Sequence, residues 1–350
     1  MVTLRGDPVY AVTKTYGLKS YLLSATALEE LAYAKNLSDL VDILRPSLYG
    51  PFLAQLLKPF TAAEIEKALW KSLVDHHYRL IQTSVKPKFL EQLFMRYVYF
   101  NVKTVLKSKA LGKSPDEIIK NVDLYPEELL GIRDITLKAL NAKDPSEFLT
   151  EYLETELAET IRTAVKVWSE RKDFSASDAI IDKAYLEGLY KAFKKVGRSE
   201  RKFLTPFMIY ELDVKALATA LRARFWKLTS SQVRNLLPAE TVTLDPEFLT
   251  SLAEIEDVKK GLEKLPENEL FAKVRSEQNL SAMLSMLEEN AKKMKLRWAY
   301  ESFYKTPFRQ ALVVSYLVLK ENEVRNLATI AKYIEEGIKD ISFIKSSLSL

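Results

Sequence analysis

Apolar residues recur along this chain at helical spacing, and that periodicity constrains the fold more than any single motif. From Val214 they stand at Val214, Leu217, Ala218, Leu221, Phe225 and Leu228, a stripe along one helix face. Lys215, Arg222 and Lys227 occupy the remaining surface. Similar stripes run through Leu28, Leu31 and Ala32, through Leu37 to Leu44, and through Ile65, Leu69, Leu73 and Tyr78. Start signals agree with them. Ser114-Pro115-Asp116-Glu117, Asp144-Pro145-Ser146-Glu147 and Asp245-Pro246-Glu247 each set a capping side chain ahead of a proline and an acid. No strict alternation extends beyond a few residues. Pro46–Pro51, Pro87, Pro206, Pro238, Pro266 and Pro307 read as breaks between helices. Only 9 of 350 residues are glycine, against a usual ~7%. That argues against hairpin-rich β folds and glycine-rich phosphate loops. The fold class is all-α.

Short stretches repeat in order along the chain. Ala34 to Leu40 resembles Ala142 to Phe148, Ile65-Glu66-Lys67-Ala68 resembles Ile181-Asp182-Lys183-Ala184, and Lys88-Phe89-Leu90 recurs as Lys202-Phe203-Leu204. Leu124-Tyr125-Pro126-Glu127 resembles Leu244-Asp245-Pro246-Glu247, and Val214 to Thr219 resembles Val324 to Thr329. The spacing implies a unit of about one third of the chain. The expected units are residues 1–122, 123–238 and 239–350. Three similar helical units favour a pseudo-threefold ring or funnel over a solenoid of short repeats.

Reactive constellations are scarce. Cysteine is absent and there are two histidines, so thiol chemistry and Cys-ligated zinc are excluded. Adjacent His76 and His77 point ~100° apart on a helix and cannot share a metal as an i, i+4 pair would. They read as two partly exposed helix residues. Gly112-Lys113-Ser114 looks like the end of a P-loop, but Lys107 stands where that motif needs its first glycine. A helix ending at Gly112 and another capped by Ser114 is the better reading. Asn36 and Asn279 read as helix-start caps. No catalytic, cofactor-binding or metal-binding residue is expected, and no small-molecule substrate.

The charge balance is 52 − 47 = +5, mildly basic and without a sharp basic stripe. Lys292-Lys293, Lys295 and Arg297 lie beside Trp298 and Tyr300, yet Glu288, Glu289 and Glu301 flank them. A solvated helix face is expected there rather than a nucleic-acid surface. The longest apolar run free of charge, Ala311 to Leu319, is well short of the ~20 residues a membrane helix needs. No signal-peptide pattern opens the chain. A cytoplasmic protein that reaches a membrane only through a partner is expected.

One pattern stands out in all three units: an amide or acid, then valine, then a base. It occurs as Asn101-Val102-Lys103, Asp213-Val214-Lys215 and Glu323-Val324-Arg325. Two readings stay open. The valines are core and their neighbours solubilise the helix, or the three helices present matched polar groups toward a shared axis. On the second reading Asn101, Lys103, Asp213, Lys215, Glu323, Arg325 and Asn326 are candidate interface residues.

The stretch from Leu319 to Ile330 resembles the E-x-E-x-x-N-L-x-x-I signature of the C subunit of archaeal (A-type) and bacterial V-type rotary ATPases, a relative of the d subunit of eukaryotic V-ATPases. Here it reads Glu321, Glu323, Asn326, Leu327 and Ile330. Tyr10 through Leu22-Leu23 with Lys19, Leu40 through Leu44 with Tyr49, and Asn101-Val102-Lys103 with Leu111 to Ile118 resemble further pieces of that family. The tail after Ile341 departs from it, being serine-rich rather than a clear last helix. The resemblance implies an all-helical funnel of three similar domains with no active site or cofactor. It also implies a central-stalk rotor component on the cytoplasmic face of the membrane, joining the central axle to the proteolipid ring and transmitting torque.

Overall fold

The computed structural model describes residues 8–171, 174–255, 257–277, 279–305, 309–338 and 340–349. Pro307 lies outside them. Among the described residues every regular element is a helix. The chain opens with α1 (Pro8–Ser20), α2 (Ala25–Leu31), α3 (Leu37–Leu44), α4 (Gly50–Leu53) and α5 (Ala62–Thr83). The long α6 (Lys88–Ala110) is followed by α7 (Pro115–Ile119), α8 (Tyr125–Leu130), α9 (Arg133–Asn141), α10 (Pro145–Glu151), α11 (Ala158–Arg171) and α12 (Phe174–Lys194). Next come α13 (Arg198–Met208), a π turn (Ile209–Asp213), α14 (Val214–Phe225), α15 (Ser230–Leu236), α16 (Pro246–Ser251), α17 (Val258–Leu262) and α18 (Glu269–Ser276). The chain closes with α19 (Leu280–Lys305), α20 (Ala311–Glu335) and α21 (Ile341–Ser347).

Two compact units result. One comprises Met1–Leu90 with Ala299–Leu350, the other Glu91–Trp298. In the first, α20 is the core. All residues from Ala311 to Lys320 are buried, as expected of a helix apolar on every face. The apolar run noted in the sequence is therefore the inner half of a buried helix. Among the described residues no helix is long and apolar enough to cross a membrane. Helices α1, α2, α3, α5 and α21 all pack on α20. In the second unit a continuous core extends from Val98 on α6 to Ala291 on α19. Helix α12 packs on α11 and α15, and α14 packs on the π turn, α15 and α16.

Local chemistry sets the ends. Ser114, Thr61 and Thr229 cap α7, α5 and α15, each in a reciprocal box with Glu117, Glu64 and Gln232. Asp144 and Asp245 cap α10 and α16 with proline in the first turn, as the sequence indicates. Helices α6, α14 and α20 end alike. Lys113 N–H bonds Ser108 O at 3.0 Å, Leu228 N–H bonds Ala223 O at 3.0 Å, and Ile338 N–H bonds Tyr333 O at 2.9 Å. Each bond spans a left-handed residue: Gly112 (φ 71°), Lys227 (φ 50°) or Gly337 (φ 70°). A capped short helix follows in every case, started by Ser114, Thr229 or Asp340.

Four expectations need correction. Pro206 lies inside α13 rather than between helices. It has no N–H for the Lys202 carbonyl, and the chain widens into the π turn just beyond it instead of breaking. Phe225 is 54% exposed although it continues the Val214 stripe, because α14 ends there. His76 and His77 are buried, not partly exposed. The serine-rich tail forms α21, capped by Asp340 and anchored by Ile344 at 1% exposure.

Candidate functional site

The seven candidate residues fall into polar clusters, each within one unit. In the first unit the cluster centres on Glu323. One carboxylate oxygen accepts the Tyr49 hydroxyl at 2.6 Å and Lys320 Nζ at 2.9 Å. The other accepts the Leu23 backbone N–H at 2.5 Å. Lys320 is fully buried, its ammonium 3.5 Å from the centre of the Tyr49 ring. Burial lowers the Lys320 pKa while Glu323 pulls it back. Burial, then the charge of Glu323, pushes the Tyr49 hydroxyl well above its ordinary range. His76 Nδ1 lies 2.7 Å from the Tyr316 hydroxyl. Burial and then the positive charge of Lys320 hold His76 down at about 3.

Asn326 works beside this cluster. Its amide donates to Ser349 O and accepts from Ser349 N–H, both at 3.0 Å, so it clasps the tail as a peptide group would. Asn322 adds a second donor to Ser349 O at 2.6 Å. Arg325 points outward, its side chain 56% exposed, paired with Glu321 at 2.8 Å and lying over Trp70.

In the second unit Asn101 is buried and donates to Asp123 O at 2.7 Å and to both oxygens of Glu127 at 2.8 and 2.9 Å. Burial raises the Glu127 pKa to about 7 against the help of that amide. Asp213, in the π turn, accepts from Val242 N–H at 2.7 Å and from Thr243 N–H and hydroxyl at 2.8 and 2.6 Å. Burial outweighs these bonds and raises its pKa. Glu211 in the same turn is buried between Lys215 at 3.0 Å and Lys295 at 2.8 Å. Burial opposes its ionisation, but the two lysines prevail and hold it well below the usual carboxylate range. Lys103 reaches Asp182 at 2.6 Å.

Of the candidates, Asn101, Asp213, Glu323 and Asn326 are thus buried and bonded to their own chain. Lys103, Lys215 and Arg325 keep exposed surface. Tyr49, Lys320, Glu127 and Glu211 belong to these clusters but are not among the candidate interface residues, although Tyr49 stands in one of the family-like segments and Glu127 in a repeated stretch. Lys320 carries a readable signal: a lysine directly after the apolar run, three residues before a glutamate on one helix face.

The arrangement favours holding over reacting. The clusters satisfy backbone groups and cross-link helices; they do not line up a nucleophile with a base. Among the described residues no group of histidine, aspartate and glutamate could hold a metal ion. A cleft of about 480 Å³ lies between α11, α12 and α15. Ile180 and Leu236 form part of its floor, and Lys166–Glu170 and Lys183–Glu187 line it as neighbouring pairs at 4.0 Å. Trp298, within the basic cluster near the end of α19, donates to Phe203 O and packs on Phe207, while Lys295 serves Glu211.

The family model for the ATP synthase (C/AC39) subunit matches residues 11–342. This chain belongs to that family. The C/AC39 subunit is a structural component of A- and V-type ATP synthases and is not itself catalytic, as the signature around Glu323 implied. Across 342 residues this C/AC39 chain is 25% identical to the C subunit of the A-type ATP synthase of Thermococcus onnurineus (strain NA1), covering 94% of this chain and 87% of the relative. It is 24% identical over 344 residues to the C subunit of the A-type ATP synthase of Methanosarcina acetivorans, covering 97% and 92%. It is also 24% identical over 334 residues to the probable d subunit of the V-type proton ATPase of Oryza sativa subsp. japonica, covering 93% and 91%.

Proposed function

We propose that this C/AC39 protein is a non-catalytic rotor element of the central stalk. It joins the central axle to the membrane proteolipid ring and transmits torque between ATP synthesis or hydrolysis and ion transport. It works at the cytoplasmic face, held to the membrane through the ring. The observation that carries this reading is a family match spanning nearly the whole chain. The internal chemistry supports it, because a torque coupler must resist shear. Buried ion pairs and amide clasps tie helices together at fixed register, and packed interiors transmit strain.

The reading includes three equivalent helical units, 1–122, 123–238 and 239–350, in a pseudo-threefold funnel. Three regularities support it. Helices α6, α14 and α20 share one ending, with left-handed Gly112, Lys227 and Gly337 at matching places. Upstream of each ending stands a buried polar residue, Asn101, Asp213 or Glu323, that bonds a backbone group of another segment. The first two units also share a local device. Lys35 N–H bonds Asp39 ahead of α3, and Lys143 N–H bonds Glu147 ahead of α10. On this reading the buried members hold the units, and Lys103, Lys215 and Arg325 are offered to partners. Ring proteolipids and a three-part coupler need not match in number, so contacts spread over apolar and polar surface serve better than one repeated contact.

The test is affinity capture from gently solubilised membranes with this chain as bait, read by mass spectrometry. Recovery of the proteolipid and axle proteins is expected. Recovery of neither by a folded bait would overturn the rotor role while leaving family membership intact.

A further inference from the structure

A small cavity of about 30 Å³ in the first unit is bounded by Leu23, Leu28, Tyr300, Asn322, Glu323 and Ser349. That volume suits a water molecule, which needs at least about 10–15 Å³. Asn322 is 8% exposed, and its Oδ1 has no hydrogen-bond partner within the chain. The orientation of this amide is fixed, because its Nδ2 donates to Ser349 O at 2.6 Å. The orphan is therefore an acceptor, and a buried acceptor left without a donor is destabilising. Glu323, which carries a second acceptor, and Tyr300, a potential donor, also line this cavity.

We infer that this cavity is a structural water site. The water donates one hydrogen to Asn322 Oδ1 and the other to the Glu323 carboxylate, and accepts from the Tyr300 hydroxyl. Three bonds are what a buried water typically makes. A cation is disfavoured here. Glu323 is already neutralised by Lys320 at 2.9 Å, so a bound cation would face that ammonium across a desolvated site. The site has a structural consequence. Glu323 already holds the Leu23 backbone between α1 and α2, and Asn322 with Asn326 holds Ser349. A shared water would join the two chain ends and the start of the buried signature into one hydrogen-bonded joint. The signature would thus specify a solvent site as well as side-chain contacts.

A crystal structure of the full chain, at a resolution that shows ordered water, tests this directly. The expected result is one peak about 2.7–3.2 Å from Asn322 Oδ1. The peak should vanish in crystals of Asn322→Leu, whose side chain presents no acceptor. A well-ordered wild-type site with no peak would overturn the inference. So would a peak ringed by five or more oxygens at about 2.4 Å, which is cation geometry.

Discussion

Glu127 is buried, and the donor to its carboxylate is a neutral amide, Asn101. Burial lifts its folded pKa from 4.5 to about 7. Folding therefore takes up a proton between those values, so this group's ionisation weakens the fold as pH rises from 4.5 to 7. Glu127→Gln removes the ionisation and keeps an acceptor for Asn101. The variant should be more stable than the parent at pH 8, by up to about 3 kcal/mol, and equal to it near pH 4.5. Urea midpoints at the two pH values read the difference; an equal shift at both would count against a titrating Glu127. His76 runs the other way. Held neutral at about 3 against an ordinary 6.5, it favours the fold at neutral pH. That contribution is lost as pH falls from 6.5 toward 3. The buried pair beside it is a third case. Glu323→Ala leaves Lys320, Tyr49 and the Leu23 N–H without their acceptor, and breaking a buried pair costs about 3–5 kcal/mol. Lys320→Met combined with Glu323→Leu should recover part of that loss in thermal unfolding, because no uncompensated buried charge then remains.

At the scale of elements, the shared ending of α6, α14 and α20 makes a sharp prediction. Two copies fill the left-handed position with glycine, whereas the middle one uses Lys227 at φ 50°. A side chain there costs about 1–2 kcal/mol. Lys227→Gly should stabilise the protein by about 1 kcal/mol, while Gly112→Ala and Gly337→Ala should each destabilise it by a similar amount. Chemical denaturation of the three variants checks the sign. The middle ending was hidden in the sequence for the same reason: Lys227 carries no turn signal, and Phe225 continues the apolar stripe past the point where the helix turns. Capped starts were legible where a proline follows, since Ser114, Asp144 and Asp245 announce themselves within three residues, whereas the caps at Thr61, Thr229 and Asp340 lack that mark. Pro206 misled because whether a proline breaks or deforms a helix depends on what surrounds the freed carbonyl. The helix-start patterns are local; burial of His76 and His77 is not. It depends on Tyr316 and the Leu90 carbonyl packing against α5, and no window around the histidines contains both.

For the whole molecule, the all-α class and the family were legible because periodicity and a signature survive at about a quarter identity. The sides taken by the candidate residues were not. Asn101-Val102-Lys103 and its counterparts give no hint that the first residue faces inward with the valine; only packing decides that, and it buries Asn101, Asp213 and Glu323. The outward members then carry the prediction for assembly. Lys103, itself partly covered, answers the half-exposed Asp182, and the exposed Arg325 answers a largely covered Glu321. Pairs with one partner in solvent are screened, and surface pairs contribute about 0–1 kcal/mol to stability. Lys215 can be removed because Lys295 still neutralises Glu211. Replacing Lys103, Lys215 and Arg325 by glutamine should therefore leave the thermal midpoint nearly unchanged. Affinity for the captured partner proteins should fall about two- to fivefold per site. The losses should accumulate when the three are combined, and should shrink at high salt as rim charges do. If the triple variant binds its partners as tightly as the parent at low salt, these three bases serve only to solubilise their helices, and the docking surface lies elsewhere on the two units.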